Sequence, residues 1–181
     1  MTSVMTVQGR ADTPSGPEAR DHRLADVTVH PATASCTPAV LAMMARCSRS
    51  TLFHRFHGFT DGVAFTRALL RAQPRDETLI AWYRSACVGL ATLGLDATGS
   101  ADLGVLVEDA WQRRGVGTRM VALLLERARA KGLTTLHADV LSDDKFILRG
   151  LRRIGPLTGS AELGTISVDI DLAGTHRRRA T

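Results

Sequence analysis

Gln112-Arg113-Arg114-Gly115-Val116-Gly117 gathers in six residues the groups that hold a phosphate: two glycines, two guanidinium side chains and a run of backbone N–H groups. Ahead of it, Leu103, Val105 and Val107 alternate with Asp102, Gly104 and Glu108, as a strand does. Behind it, Val116, Met120, Leu123, Leu124 and Ala128 recur at helical spacing, and Gly132 supplies a stop after Lys131. A strand, a short glycine loop and a helix N-terminus leave several N–H groups unpaired and aimed one way, and the helix dipole adds to their pull on an anion. Gly115 and Gly117 remove side chains that would hold a pyrophosphate off the backbone. The plain alternative is an ordinary tight turn before a helix. Neither Gly-x-x-x-x-Gly-Lys-Ser/Thr nor Gly-x-Gly-x-x-Gly occurs, which excludes the two common phosphate loops. Three acids, Asp102, Glu108 and Asp109, flank the loop, and the period of two puts Asp102 and Glu108 on one strand face.

The rest of the chain supplies the elements that must hold this loop. Leu24 to His30 alternates as a first strand ended by Pro31, and Thr37-Pro38 opens a helix whose buried stripe is Val40, Leu41, Met44 and Cys47. Asp61 to about Arg71 reads as a second helix and Pro74-Arg75-Asp76 as a turn. Thr78–Trp82 and Ala86–Leu93 read as a hairpin, with Gly94 to Ser100 a loop into the strand before the glycines. Beyond Gly132, Thr134–Leu141 reads as a strand with Leu136, Ala138 and Val140 on one face. Asp143–Arg153 reads as a helix capped by Ser142 or Asp143, and Glu162–Leu172 as a late strand free to pair across a homodimer.

Ala101 to Thr118, in its strand–loop–helix setting, resembles motif A of the GNAT superfamily of acetyl-CoA-dependent N-acetyltransferases, with its Gln/Arg-x-x-Gly-x-Gly/Ala pattern. The order of elements over about residues 24–172 matches that family. The resemblance implies an α/β (α+β) fold: a mixed, mostly antiparallel central sheet with splayed parallel strands and helices on both faces. Arg46-Cys47-Ser48-x-x-Thr51-Leu52-Phe53-His54-Arg55-Phe56 is similar to a segment of bacterial protein-lysine acetyltransferases of the Pat type, where it lies near the acceptor side of the cleft. Leu52, Phe53 and Phe56 read equally well as the buried face of a short helix.

The resemblance further implies that acetyl-CoA places its pyrophosphate on the amides of Gln112, Arg113, Arg114, Gly115, Val116, Gly117 and Thr118, and its pantetheine arm along the backbone of Leu106 and Val107. Arg113 and Arg114 add Coulombic attraction of about 0.5–1 kcal/mol each at a solvent-facing loop. The acceptor is a primary amine, a protein lysine or a small molecule. Such an amine is protonated at neutral pH, so a carboxylate must take its proton. In Pat-type enzymes the catalytic glutamate falls where this chain has Asp102, with Glu108 the second candidate. Asp for Glu shortens the reach by one methylene and leaves room for a bridging water. The chain departs from the family in the helix after the second splayed strand. Asp144 stands where Asn is usual, accepting a hydrogen bond at the cofactor but donating none when ionised, and Gly150-Leu151 stands where a tyrosine is usual. These departures motivate an alternative: an acyl-CoA-binding regulatory module with weak or no catalysis. Gly150 is expected to mark a close approach of cofactor or helix. His137 reads as structural or as facing the cleft.

Composition narrows the field. A chain of 181 residues with 44% apolar content suits one domain, and 4% aromatics leave the packing to Leu, Val, Ala and Ile. Met1–Arg23 lacks the apolar stretch of a signal peptide and is expected to be a disordered lead-in to a domain at 24–172. The expected location is the cytoplasm, without a membrane span. Cys36, Cys47 and Cys87 fit neither a disulfide framework nor a zinc site, and His54 and His57 have no further ligands, so no metal is expected. Of the net charge of +5, Arg177, Arg178 and Arg179 in the tail 173–181 supply three, without interleaved aromatics, which argues against nucleic acid.

Overall fold

The computed structural model describes residues 24–56, 77–95, 101–141, 145–162 and 164–172. Within them, seven strands form one sheet in the order β1-β2-β3-β4-β5-β7-β6. These are β1 Val27–Pro31, β2 Glu77–Tyr83, β3 Ala86–Leu95, β4 Ala101–Val107, β5 Thr135–Leu141, β6 Leu157–Glu162 and β7 Thr165–Asp171. The helices described are α1 Thr37–Arg46, α2 Arg49–Phe56, α3 Val116–Ala130 and α4 Lys145–Arg152. Every strand pairing is antiparallel except that of β4 with β5. That parallel pair is held by two rungs, Ala101 with Leu136 and Asp102 with His137, after which the strands part. The mixed, mostly antiparallel sheet with a splayed parallel pair is the architecture the sequence implies.

Strand alternation sorts side chains onto two faces. Leu79, Ala91, Leu93, Leu136, Ala138 and Val140 pack with Val116, Met120, Leu124 and Ala128 of α3, and Leu151 of α4 joins them. Met120 and Leu124 are fully buried, each such side chain contributing about 1.5–3 kcal/mol. Gly89 makes room for this packing, since a Cβ there would stand 2.7 Å from Met120 Cε. On the opposite face Ile80, Leu90 and Leu106 meet Val40, Met43 and Met44 of α1, with Leu52 and Phe56 of α2 alongside. No helix among the described residues is long and apolar enough to cross a membrane.

Several expectations need correcting. The buried stripe of α1 is Val40, Met43 and Met44; Leu41 is only half-buried. Phe53 is exposed at 43%, so α2 packs half-buried Leu52 and Phe56 on the core without it. The late strand is preceded by another, β6, joined to it through Gly164 at φ +87°. Leu157 is the one bulky apolar residue of β6, too little to announce a strand, and a Cβ on Gly159 would overlap the Ser167 carbonyl oxygen. β7 therefore lies between β5 and β6 and offers no edge to a second copy; among the described residues the outermost strands are β1 and β6. Gly150 is exposed and, among the described residues, nothing lies within 4 Å of where its Cβ would be, so no approach of a neighbouring described helix explains it. The expected lead-in, the Asp61–Arg71 helix, the turn at 74–76, His57, the cap at 142–143, Asp144 and the basic tail lie outside the described residues.

Candidate active site

At the mouth of the β4–β5 fork, the glycine loop turns into α3. Arg113 and Gly115 adopt left-handed φ values of 59° and 88°. Such alternation turns successive N–H groups to one side, the geometry of an anion-binding concavity. Gly115 is the N-cap and brings no side chain to the helix end. The first bond of the helix runs from Arg119 N–H to Gly115 O at 2.9 Å, so the N–H groups of Val116, Gly117 and Thr118 remain for a ligand. Val116 is 1% exposed and anchors the turn, while Thr118 is exposed. A Cβ on Gly117 would meet Val107 Cγ2 at 3.5 Å and Val105 Cγ1 at 3.7 Å, ordinary contacts, so the fold itself does not demand glycine there. Beneath the loop, buried Trp111 packs on Tyr83 with ring centroids 4.7 Å apart, and the Arg114 guanidinium lies 5.8 Å from the Trp111 centroid.

The strand edge facing the fork is set by register. Glu108 N–H donates to Val88 O of β3 at 3.1 Å, and alternation then turns the backbone of Leu106 toward β3 and that of Val105 and Val107 toward the fork. Val107, expected to meet an acyl arm, faces the opening; Leu106 does not, and its side chain packs on the α1 side. Gln112 also differs from expectation. Its N–H donates to Asp109 O at 3.3 Å, and its side chain donates to Val107 O and to Thr51 Oγ1, both at 3.0 Å. Asp109 accepts from Ser48 N–H at 2.9 Å and from the Thr51 hydroxyl at 3.0 Å. Burial alone would push the Asp109 carboxyl up, but the hydrogen bonds from Ser48 and Thr51 outweigh it and hold the group below its usual range.

The two candidate bases share the α1/α2 face of β4, yet their surroundings differ sharply. Glu108 is 9% exposed and pairs with Arg46 Nη2 at 2.8 Å, an atom that also donates to Cys87 O at 2.7 Å. The Glu108 hydrogen bond tightens the hold of Arg46 on its proton despite the burial of that guanidinium. Asp102 is exposed, on the last rung before the fork opens. A cavity of about 160 Å³ opens beside it, lined by Arg55, Thr78, Thr92, Gly94 and Gly104 among others. Arg55 Nη2 donates to Thr92 Oγ1 at 3.1 Å, and burial lowers the proton affinity of its guanidinium. Gly104 is the gap that admits Arg55: a Cβ there would overlap the guanidinium. The two acids stand roughly 20 Å apart along the strand, so they cannot serve one reacting atom.

His137, across the rung from Asp102, is tied to Asp169 Oδ1 through Nδ1 at 2.9 Å and stands 3.4 Å from Asp139 Oδ1 through Nε2. The Asp169 bond, aided by Asp139 and Asp102, outweighs burial and raises its pKa above the ordinary value. A histidine held between two carboxylates is a cross-link of β5 to β7. Burial pushes the Cys87 thiol up to about 11 and the Cys47 thiol up to about 12, which leaves neither as a thiolate nucleophile at neutral pH. Among the described residues, no group of three or more His, Cys, Asp and Glu could hold a metal ion. The Pat-type resemblance put the segment holding Arg46, Ser48, Thr51 and Arg55 near the acceptor side of the cleft but gave none of these four residues a role. The readable signal was Ser48-x-x-Thr51, a helix cap whose Ser48 Oγ accepts Thr51 N–H at 3.1 Å.

Comparison with known proteins follows the same outline. The acetyltransferase (GNAT) family model matches residues 46–151. The GNAT domain of S. lividans PAT is 19% identical with a TM-score of 0.73, over 81% of this chain and 90% of that one. The ribosomal-protein-alanine N-acetyltransferase of Brucella melitensis is 22% identical with a TM-score of 0.66, over 80% and 99%. The yncA protein of Salmonella typhimurium, solved with its cofactor acetyl-CoA, is 17% identical with a TM-score of 0.65, over 81% and 94%. At these identities each likeness shows the shared fold. No curated protein sequence matches the chain.

Proposed function

This chain belongs to the acetyltransferase (GNAT) family, and on that premise we propose that it transfers an acetyl group from acetyl-CoA to a primary amine, of a protein lysine or a small molecule, by direct attack with Asp102 as general base. The observation that carries the reading is the fork. Its mouth holds the N–H groups of Val116, Gly117 and Thr118, its β4 edge pairs with no described strand beyond Asp102, and Asp102 stands at its vertex beside a cavity. Roughly 17 Å of strand separates that vertex from Val107, room for an extended acyl arm between anion loop and base.

The residues divide the work. The three N–H groups and the α3 dipole favour the phosphate end, with Arg113 adding charge from an exposed position. The backbone edge of Val105 and Val107 orients the arm as an added strand would. Acetyl-CoA supplies the activated thioester. An amine entering the cavity loses a proton to the Asp102 carboxylate, directly or through one water, and attacks as the free base. As the C–S bond breaks, that proton passes through water to the departing thiolate while the acylated nitrogen gives its surplus proton to solvent, leaving amide, thiol and one released proton. Glu108, spent on Arg46, has a supporting role at the end of β4.

Titration of the whole protein with acetyl-CoA, alongside Gly117→Trp checked for folding by circular dichroism, tests the first half. Micromolar binding lost in the folded Trp variant is expected; no binding by the wild type overturns the reading. Thiol release across an amine panel tests the second. Asp102→Ala should cut turnover about 100-fold or more while keeping acetyl-CoA affinity. Full activity of that variant would remove Asp102 from the chemistry. Tight binding without release from any amine would instead make the chain an acyl-CoA-binding regulatory module.

A further inference from the structure

Thr51 spends its hydroxyl completely. Its Oγ1 donates to Asp109 Oδ1 at 3.0 Å and accepts from Gln112 Nε2 at 3.0 Å and from Ser48 Oγ at 3.1 Å, which is the one donor and two acceptor positions a hydroxyl has. The Gln112 side chain spends its second N–H on Val107 O at 3.0 Å, at the fork end of β4. Thr51 itself belongs to α2, which one turn later carries Arg55. The Arg55 guanidinium fills the gap over Gly104 and bonds Thr92 in the cavity beside Asp102. One hydroxyl thus joins the start of the glycine loop to the helix that shapes the cavity. Arg46 and Glu108 tie the end of α1 to the end of β4 separately, so the helices stay attached without it.

We propose that Thr51 is a positioning residue that couples the two sites: a ligand on the glycine loop fixes Gln112, and through the Thr51 hydroxyl fixes α2 and the placement of Arg55, so the cavity is set once the loop is filled. The inference rests on the acetyl-CoA reading of the loop.

Amide hydrogen exchange of the full chain with and without acetyl-CoA tests this directly. In the wild type, acetyl-CoA should slow exchange in residues 113–118 and also in Arg49–Phe56, each about fivefold or more. In Thr51→Val the loop should still slow while α2 no longer responds, and Thr51→Ser should restore the response. A merely structural hydroxyl would speed α2 exchange equally with and without acetyl-CoA, leaving the ratio intact, and that result overturns the proposal. So does a wild type in which the loop slows and α2 does not. Failure of acetyl-CoA to slow the loop in the wild type is a different result: it removes the cofactor reading, and the coupling falls with it.

Discussion

Gly104→Ala should change sign with the residue at 55. In the native chain the new Cβ would overlap the Arg55 guanidinium and stand 2.9 Å from Thr92 Oγ1, so Arg55 must swing away and give up its 3.1 Å bond to Thr92. Overpacking of this kind costs about 1–3 kcal/mol. Replacing glycine in a strand interior returns about 0.5–1 kcal/mol of backbone entropy. The guanidinium is the far end of a flexible side chain and regains water when displaced, which keeps the cost toward the lower end. The expected net loss is about 0.5–2 kcal/mol. In an Arg55→Ala background the obstruction is gone and the Thr92 hydroxyl is free to rotate, so the same substitution becomes neutral or stabilising by up to about 1 kcal/mol. Urea unfolding of the four proteins in the cycle, at matched m-values, reads the difference as a coupling energy of about 0.5–3 kcal/mol. Equal effects of Gly104→Ala in both backgrounds would refute the argument that this glycine exists to seat Arg55.

The Arg46–Glu108 pair should be asymmetric under urea unfolding. Arg46→Ala, which strands a carboxylate 12% exposed, is expected to cost about 1–2 kcal/mol, below the range for fully buried pairs because Arg46 is 42% exposed; Glu108→Ala should cost less. The raised pKa of His137 contributes stability that is fully present below its unfolded value near 6.5 and is lost as pH rises through the folded value. Unfolding midpoints should therefore fall as pH rises above about 6.5, and His137→Asn should flatten that slope. Gly150→Ala, on an exposed helix position with open space around it, should stabilise by about 0.5–1 kcal/mol, seen as a melting temperature about 1–4 °C higher.

What could be read from the residues followed their periodicity. The stripe Val116, Met120, Leu124 and Ala128 defined α3, and alternation defined β4, β5 and β7, because apolar residues fill one face of each while polar residues or glycine interrupt the other. The glycine loop was legible for the same reason: it sits between two strongly periodic elements. β6 was not, since Thr158, Gly159 and Ser160 carry almost no apolar signal and the strand is held by its backbone against β7. Side-chain commitments were also hidden. Nothing in the spacing of Arg46 and Glu108, sixty-two positions apart, announces an ion pair. The same holds for Thr51 with Asp109 and Gln112. Long-range polar contacts are fixed by how helices land on the sheet, and a single sequence holds no record of that docking. Asp102 and Glu108 therefore looked alike on one strand face, and only tertiary packing separates the exposed acid from the paired one.

The fork between β4 and β5 also has a mechanical consequence. Within the sheet two rungs join β1 to β4 with β5, β7 and β6, and the core around α3 spans both halves beneath them, so any opening of the sheet pivots on that one short line. An opening of about 5° at that line moves the tip of β4 by about 1.5 Å over roughly 17 Å of strand. The displacement grows with distance from the vertex and vanishes at it. Asp102 occupies the vertex. The far end can widen or narrow around whatever lies between the strands while the carboxylate keeps its place, as the pivot of a pair of tongs stays still while the jaws move.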